Sequence, residues 1–253
     1  MALALKSRLR ESPLLRGLRL RLRDEIRAQP VRWEASRDDL AFRYLRGRGI
    51  EIGALYRPQR VPPGVQVTFV DHAAPDELRR LYPQHQWIQA PDVIDEAETL
   101  AHFADESLDF VMANHVLEHM EDPVAALFTF LRVLRPGGVI FLALPDPRRS
   151  FDGPRERTSV EHAVRDHRDG AGVSRASHYL EYVELVEGLS GDDLASRAAE
   201  LDAQNYRIHF HVWEPETFLE LLSALHLPVD LEAVQVTDPE FIVVLRKNPD
   251  KQR

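Results

Sequence analysis

Only three residues, Thr237 to Pro239, separate two apolar runs near the end of the chain, VDLEAVQV (229–236) and EFIVVLRK (240–247). A parallel crossover needs a dozen or more residues, so these runs must pair as an antiparallel hairpin. Upstream lie GIEIG (49–53), VQVTFVD (65–71), QWIQA (86–90), LDFVMAN (108–114) and VIFLALP (139–145). Amphipathic stretches separate them: DELRRLY (76–82), DEAETLAHF (95–103), a long one from Pro123 to Leu134, and PETFLELLSAL (215–225) before the hairpin. Apolar strands alternating with helical patterns imply βαβ units and a parallel sheet covered on both faces. The expected fold is therefore α/β: a doubly wound, mostly parallel seven-stranded sheet with a terminal antiparallel hairpin. Such a sheet takes its ligand at the carboxyl ends of its strands, near the topological switch point.

Between the fifth strand and the last helix, Pro147 to Tyr206 form a long polar stretch. An insertion of about 60 residues is too long for a passive connection, and loops of that length are usually functional. The absence of cysteine excludes a disulfide framework, a cysteine zinc site and a thiol nucleophile. The net charge of −9 disfavours general nucleic-acid binding. Residues 1–32 nevertheless carry nine Lys/Arg against three acids, +6, which leaves −15 for the remainder. That basic, leucine-rich stretch reads as an amphipathic helix, either packed on the domain or touching anionic lipid. No apolar run reaches the ~18–20 residues of a membrane span, so a cytoplasmic location is expected, with peripheral contact to the inner membrane through residues 1–30 as an option.

Carboxylates recur at the ligand edge. Glu51 stands at the end of the first strand, two residues before Gly53, whose freedom allows close backbone approach. Asp71 ends the second strand, where an acid can accept hydrogen bonds from two ribose hydroxyls or simply cap a turn. After the third strand, Asp95 or Glu96 can bond an adenine amino group, or Asp95 can cap the following helix. The run SLDFVMANHVLEHMEDPVAALFTFLRVLRPGGVIFLALPD (107–146) adds a buried strand, a polar Asn114–His115 elbow, a helix, an LRPGG turn and another buried strand.

This run resembles the class I S-adenosylmethionine-dependent methyltransferases, and the resemblance covers roughly Gly49 to Pro145 before resuming through the last helix and hairpin. The resemblance implies S-adenosylmethionine as cofactor and S-adenosylhomocysteine as product. It places Glu51, Gly53 and the adjoining Ala54 at the methionine end, and Asp71 with His72 at the ribose. It places Asp95 and Glu96 by the adenine, and Asn114 and His115 on the floor beneath the sulfonium. Glu118 and His119 read as packing or capping partners. One departure stands out: the family often has E-x-G-x-G-x-G, but here Leu55 and Arg57 replace the later glycines. A cofactor without phosphates needs no nest of bare amides. Leu55 and Tyr56 could pack over it and Arg57 could reach its carboxylate, or Tyr56 and Arg57 could hold the insertion. The implied organisation is a basic helical extension (1–46), a Rossmann-like cofactor core (47–146), a helical and irregular substrate-binding lid (147–208), and a C-terminal helix and hairpin completing the core (209–253).

For acceptor chemistry, His178 and His211 are the first candidates for a general base, with His115 behind them. Alternating His209 and His211, with His178 or Asp146, could instead hold a divalent metal, but no metal ligand set is assigned. The charged insertion with Tyr179, Tyr182, Tyr206 and Trp213 suits a polar acceptor with a stacking face. The expected reaction is O-methylation of a sugar or glycan in cell-surface polysaccharide or secondary-metabolite biosynthesis. The alternatives are a non-catalytic methyltransferase-like binding subunit and an RNA-modifying methyltransferase.

Overall fold

The computed structural model describes residues 36–249, so most of the expected basic extension lies outside the described residues. The description opens at helix α1 (Arg37–Tyr44), where the Ser36 hydroxyl accepts from the Asp39 amide and the Asp39 carboxylate accepts from the Ser36 amide. This reciprocal box satisfies two amides that the first turn would otherwise leave bare.

The strands are β1 (Arg48–Ile52), β2 (Gln66–Asp71), β3 (Val93–Ile94), β4 (Leu108–Asn114), β5 (Leu134–Pro145), β6 (Val229–Val236) and β7 (Glu240–Lys247). They form one seven-stranded sheet in the order β3-β2-β1-β4-β5-β7-β6. The first five pair in parallel, and β7 runs antiparallel to both β5 and β6. From β1 the chain winds outward through β2 to β3, then returns to place β4 on the other flank of β1. The switch point therefore lies between β1 and β4. The short terminal connection makes the antiparallel hairpin that its length demands.

The central strands are buried on both sides, which explains why they read as unbroken apolar runs. Val111, Ala113, Ile140 and Leu142 face one core, shared with α3 (Pro123–Val133) and α7 (Pro215–Leu225). Their neighbours Phe110, Met112, Phe141 and Ala143 face the opposite core, closed by Leu40, Ala41 and Leu45 from α1 and its C-terminal cap. Pro123 and Pro215 each stand at the start of their helix, where a missing amide costs nothing.

Three expectations need correction. QWIQA (86–90) is not a strand; the third strand is the two-residue β3, paired Val70 to Val93 and Asp71 to Ile94. In QWIQA, Ile88 is spent on a small cluster with Ala73 and Leu78, while Trp87 is exposed. DEAETLAHF (95–103) forms turns rather than a helix, because Asp95 folds back to accept the His102 amide. The LRPGG segment is absorbed into β5 at a register shift opposite Leu108–Phe110, with Gly137 at φ 80°.

The stretch after β5 is mostly helical: α4 (Val160–Asp169), α5 (Gly172–Leu185) and α6 (Gly191–Ala203), joining α2 (Pro75–Leu81) in the helix inventory. Ala163 roots α4 in the main core, whereas α5 and α6 build a core of their own around Tyr179, Val183 and Leu201. Arg155, 2% exposed, ties the segment together. It donates to Asp152 (3.0 Å), Glu181 (2.9 Å) and the His209 carbonyl (2.7 Å).

Candidate active site

A cavity of about 420 Å³ opens at the carboxyl ends of β1, β2 and β4. That lies within the size range of small-molecule sites. Glu51, 1% exposed, reaches its wall from the end of β1. Both carboxylate oxygens accept from the Gln59 amide, at 2.9 and 3.0 Å, and the Asn114 amide donates at 3.4 Å. Burial pushes the Glu51 carboxyl up to about 7, overriding the downward pull of these donors and of the Arg37 charge. Asp71 lies at the end of β2, and its Oδ1 accepts the His72 amide at 2.8 Å with the His72 ring nitrogen also at 2.8 Å. Asp95 closes the adjoining wall. It is buried, accepts from the Glu96 and His102 amides at 2.9 and 2.8 Å, and its carboxyl is held low by those bonds despite its burial.

Gly53 begins the β1 loop at φ 66°, and a Cβ there would stand 2.8 Å from Val116 Cγ2. Gly53→Ala should therefore cost about 1–2 kcal/mol from the left-handed backbone, plus the displacement of Val116. Thermal unfolding checks this, and an unchanged melting temperature would contradict it. Leu55 also takes a left-handed conformation, φ 46°, so the loop keeps a glycine-like shape without the glycine. Its side chain packs on the Ala73–Leu78–Ile88 cluster and its carbonyl accepts from the Gln89 amide at 2.6 Å. Tyr56 stacks on His85, with ring centroids 3.7 Å apart.

At the end of β4, His115 is held at φ 56°, its amide donating to Ala143 across the sheet at 2.8 Å. Strained backbone of this kind concentrates at functional positions. The ring bridges two acids, Nε2 lying 2.6 Å from Glu240 and Nδ1 3.5 Å from buried Glu118. Burial alone would lower the imidazole pKa, but Glu118 and Glu240 outweigh it and hold it at about 9. Glu240 also pairs with Arg37 at 3.1 Å.

Residues 49–142, which carry β1 through most of β5 and hence these acids and the elbow, match the family model of the methyltransferase domain. Over this stretch the chain is similar to methyltransferase domains. An Xanthomonas oryzae ubiquinone biosynthesis O-methyltransferase is 33% identical over 93 residues, 36% of this chain and 38% of that protein. The Xanthomonas campestris counterpart is 34% identical over 82 residues, 32% and 34% of the two chains. The chain thus spans well under half the length of these curated relatives. A SAM-dependent methyltransferase structure from Methanosarcina mazei covers 81% of this chain and 95% of its own, at 18% identity and a TM-score of 0.43.

Within the matched stretch, Glu51, Gly53, Ala54, Asp71, His72, Asp95, Asn114 and His115 all line the cavity. Glu96 does not; it follows the inward-folded Asp95 and turns outward to pair with Arg207 at 2.8 Å. His178 and His211 also stand outside the cavity wall, because α5 and the 208–213 segment carry them into the interior of the insertion. Burial lowers His178 to about 4 and His211 well below its ordinary range. His209 and His211 do not converge: His209 pairs with Asp152 at 2.7 Å, while His211 meets His162 and His178. Asp146 is occupied by Arg148 at 2.6 Å.

Sequence reasoning missed Arg37, Tyr82, His119, Arg207 and Glu240 on the cavity wall. Only Glu240 left a signal, an acid opening an otherwise apolar strand. His119 is a wall residue as well as a packing partner, and Glu118 is the buried carboxylate beneath His115.

Proposed function

We propose that the domain binds S-adenosylmethionine in this cavity and methylates a polar acceptor, most specifically a sugar or glycan oxygen. One observation carries the reading: the acids ending β1 and β2 and following β3 meet the Asn114–His115 elbow around a single cavity. The residues fit the cofactor. Glu51 is a buried carboxyl whose pKa is held at about 7 and which, among the described residues, pairs with no cation, so it suits an amino-acid ammonium; Asn114 Oδ1 is likewise buried with no hydrogen-bond partner among the described residues. Asp71 would take the ribose hydroxyls, and the Asp95 segment would border the base. Bound S-adenosylmethionine supplies an electrophilic methyl group on a sulfonium.

The chain's own contribution is then position, water exclusion and a proton acceptor. Approach geometry alone can supply on the order of 7–11 kcal/mol. His115, between Glu118 and Glu240, is the one titratable ring of the three sequence candidates that reaches the cavity, and it would receive a hydroxyl proton. The rim carries Arg37, Arg57, Arg207 and Asp238, which suits a polar acceptor. Tyr179 and Trp213, 1% and 2% exposed, are core residues and offer no stacking face; Tyr206 remains exposed. The O-methyltransferase names of the curated relatives support an oxygen acceptor.

Calorimetry with S-adenosylmethionine and S-adenosylhomocysteine tests the reading, and no detectable binding of either would overturn it. Methyl-transfer assays against sugar nucleotides and glycolipids then test the acceptor. Binding should also depend on pH through Glu51. Its folded pKa, about 7, lies above the ordinary 4.5. Its contribution to stability is therefore complete below pH 4.5 and lost as pH rises through 7. An ammonium beside it favours the ionised form, so ligand affinity should rise from about pH 6 to 8 with proton release. Calorimetry in buffers of different ionisation enthalpy reads that proton. In Glu51→Gln the pH dependence should flatten.

A further inference from the structure

The methyl-transfer reading leaves four converging side chains unused: His162 and Asp166 from α4, His178 from α5, and His211 from the segment returning to the core. We propose that they bind one zinc ion, which fastens the insertion to the methyltransferase domain.

One ligand atom from each residue lies within 4.8 Å of every other. Three of the separations are short: His162 Nε2 to His178 Nε2 is 3.1 Å, His162 Nε2 to Asp166 Oδ2 is 3.0 Å, and His178 Nε2 to Asp166 Oδ2 is 3.6 Å. Tetrahedral zinc with bonds of about 2.0–2.1 Å puts neighbouring ligand atoms roughly 3.3–3.4 Å apart, so these values bracket the edge of such a site. Three imidazoles with one carboxylate also match zinc's ligand preference and give it a closed, structural coordination set.

Hydrogen bonding alone does not satisfy the cluster. Among the described residues, Asp166 Oδ2 has no hydrogen-bond partner although it lies 3.0 Å from an imidazole nitrogen, and His211 Nδ1 has none either. Asp166 and His211 are 0% and 1% exposed, where an unmade bond is costly. The remaining atoms are already oriented. The Ser174 hydroxyl donates to Asp166 Oδ1, which leaves Oδ2 for the ion. His211 Nε2 lies 3.3 Å from the Glu121 carbonyl; a proton there leaves Nδ1 as the lone-pair nitrogen. Such outer bonds are how metal-ligating imidazoles are usually fixed. The Arg165 guanidinium lies 3.4 Å from His162 Nδ1; its side chain is half exposed and would turn aside once zinc at Nε2 leaves the proton on Nδ1.

The spacing accounts for the assembly. His162 and Asp166 are one turn apart on α4 and share a face. His211 belongs to the segment whose Phe210 and His211 amides both donate to the Glu118 carbonyl, at 2.7 and 3.2 Å, directly below the His115 elbow. The ion would join two insertion helices to that segment.

The test uses the full chain, stripped with chelator, reconstituted with zinc or cobalt(II), and assayed by elemental mass spectrometry. The expected result is one zinc per chain, an intense tetrahedral cobalt visible spectrum, and a melting temperature that falls on chelation. Ser174→Ala should weaken zinc binding by about 10–100-fold. His162→Gln/His178→Gln should abolish stoichiometric binding and the chelator effect. Should that double variant fail to fold, His162→Gln, whose ring is 30% exposed, must show the same loss. Substoichiometric zinc after reconstitution would overturn the proposal. So would undiminished binding in folded His162→Gln, or loss of the metal only in His209→Gln, which would move it to the Glu118–His119–His209 group.

Discussion

Asp71→Ala should abolish S-adenosylhomocysteine binding at calorimetric concentrations. A carboxylate accepting two hydroxyl bonds gains about 1.5–3 kcal/mol from each, so losing both costs about 3–6 kcal/mol, or on the order of 10²–10⁴-fold in affinity. The fold should survive. The Asp71 side chain accepts the His72 amide and approaches the His72 ring, the Asp95 amide bonds to its backbone carbonyl, and the residue lies at the open end of β2 rather than in either core. Asp71→Asn keeps one acceptor and should fall between the two. Circular dichroism confirms folding. Wild-type affinity in a folded Asp71→Ala would remove the ribose assignment.

His115→Ala should lower kcat by about 10²–10⁴-fold, the usual worth of a positioned proton acceptor, and change S-adenosylhomocysteine affinity far less. The pH profile gives the sharper test. With its pKa held at about 9 by Glu118 and Glu240, the ring is an imidazolium at neutral pH, and the form that accepts a proton gains population as pH rises towards 9. The rate should climb over that range. Glu240→Gln removes one of the charges that raise the pKa and should shift the climb to lower pH. A flat profile, or an upward shift in Glu240→Gln, would exclude His115 as the proton acceptor. Stability runs the opposite way. The raised pKa stabilises the folded chain fully below 6.5, and that contribution fades as pH rises through 9.

Most of the sheet was legible because β1, β4, β5 and β7 are apolar and buried along most of their length, and because the short turn before β7 forces its pairing with β6. β3 was not, since two residues with one exposed carry no periodic signal. The polar cavity residues were legible for a related reason: strand ends place Glu51, Asp71 and Asn114 at one edge of a parallel sheet. Glu240 enters that edge only because β7 runs antiparallel and starts where the parallel strands finish. Arg207 arrives from a segment with no strand or helix of its own. Leu55 was the misleading letter. Missing glycines suggested a changed loop, yet the backbone keeps the left-handed turn and draws compensation from packing on Leu78 and Ile88. Tyr56 leans on His85. The histidine-rich insertion invited a catalytic reading, but tertiary packing turned His178 and His211 inward.

The shared Glu118 carbonyl constrains how the cavity can breathe. Two successive amides of the returning segment hang from it, while its side chain sits under His115. The segment therefore behaves as a rivet and not as a hinge. Swinging the whole insertion as one rigid flap would shear both amide bonds and disturb the elbow. Because Ile208 and Phe210 also sit in the α5–α6 core, those two helices are held to the domain through the same segment.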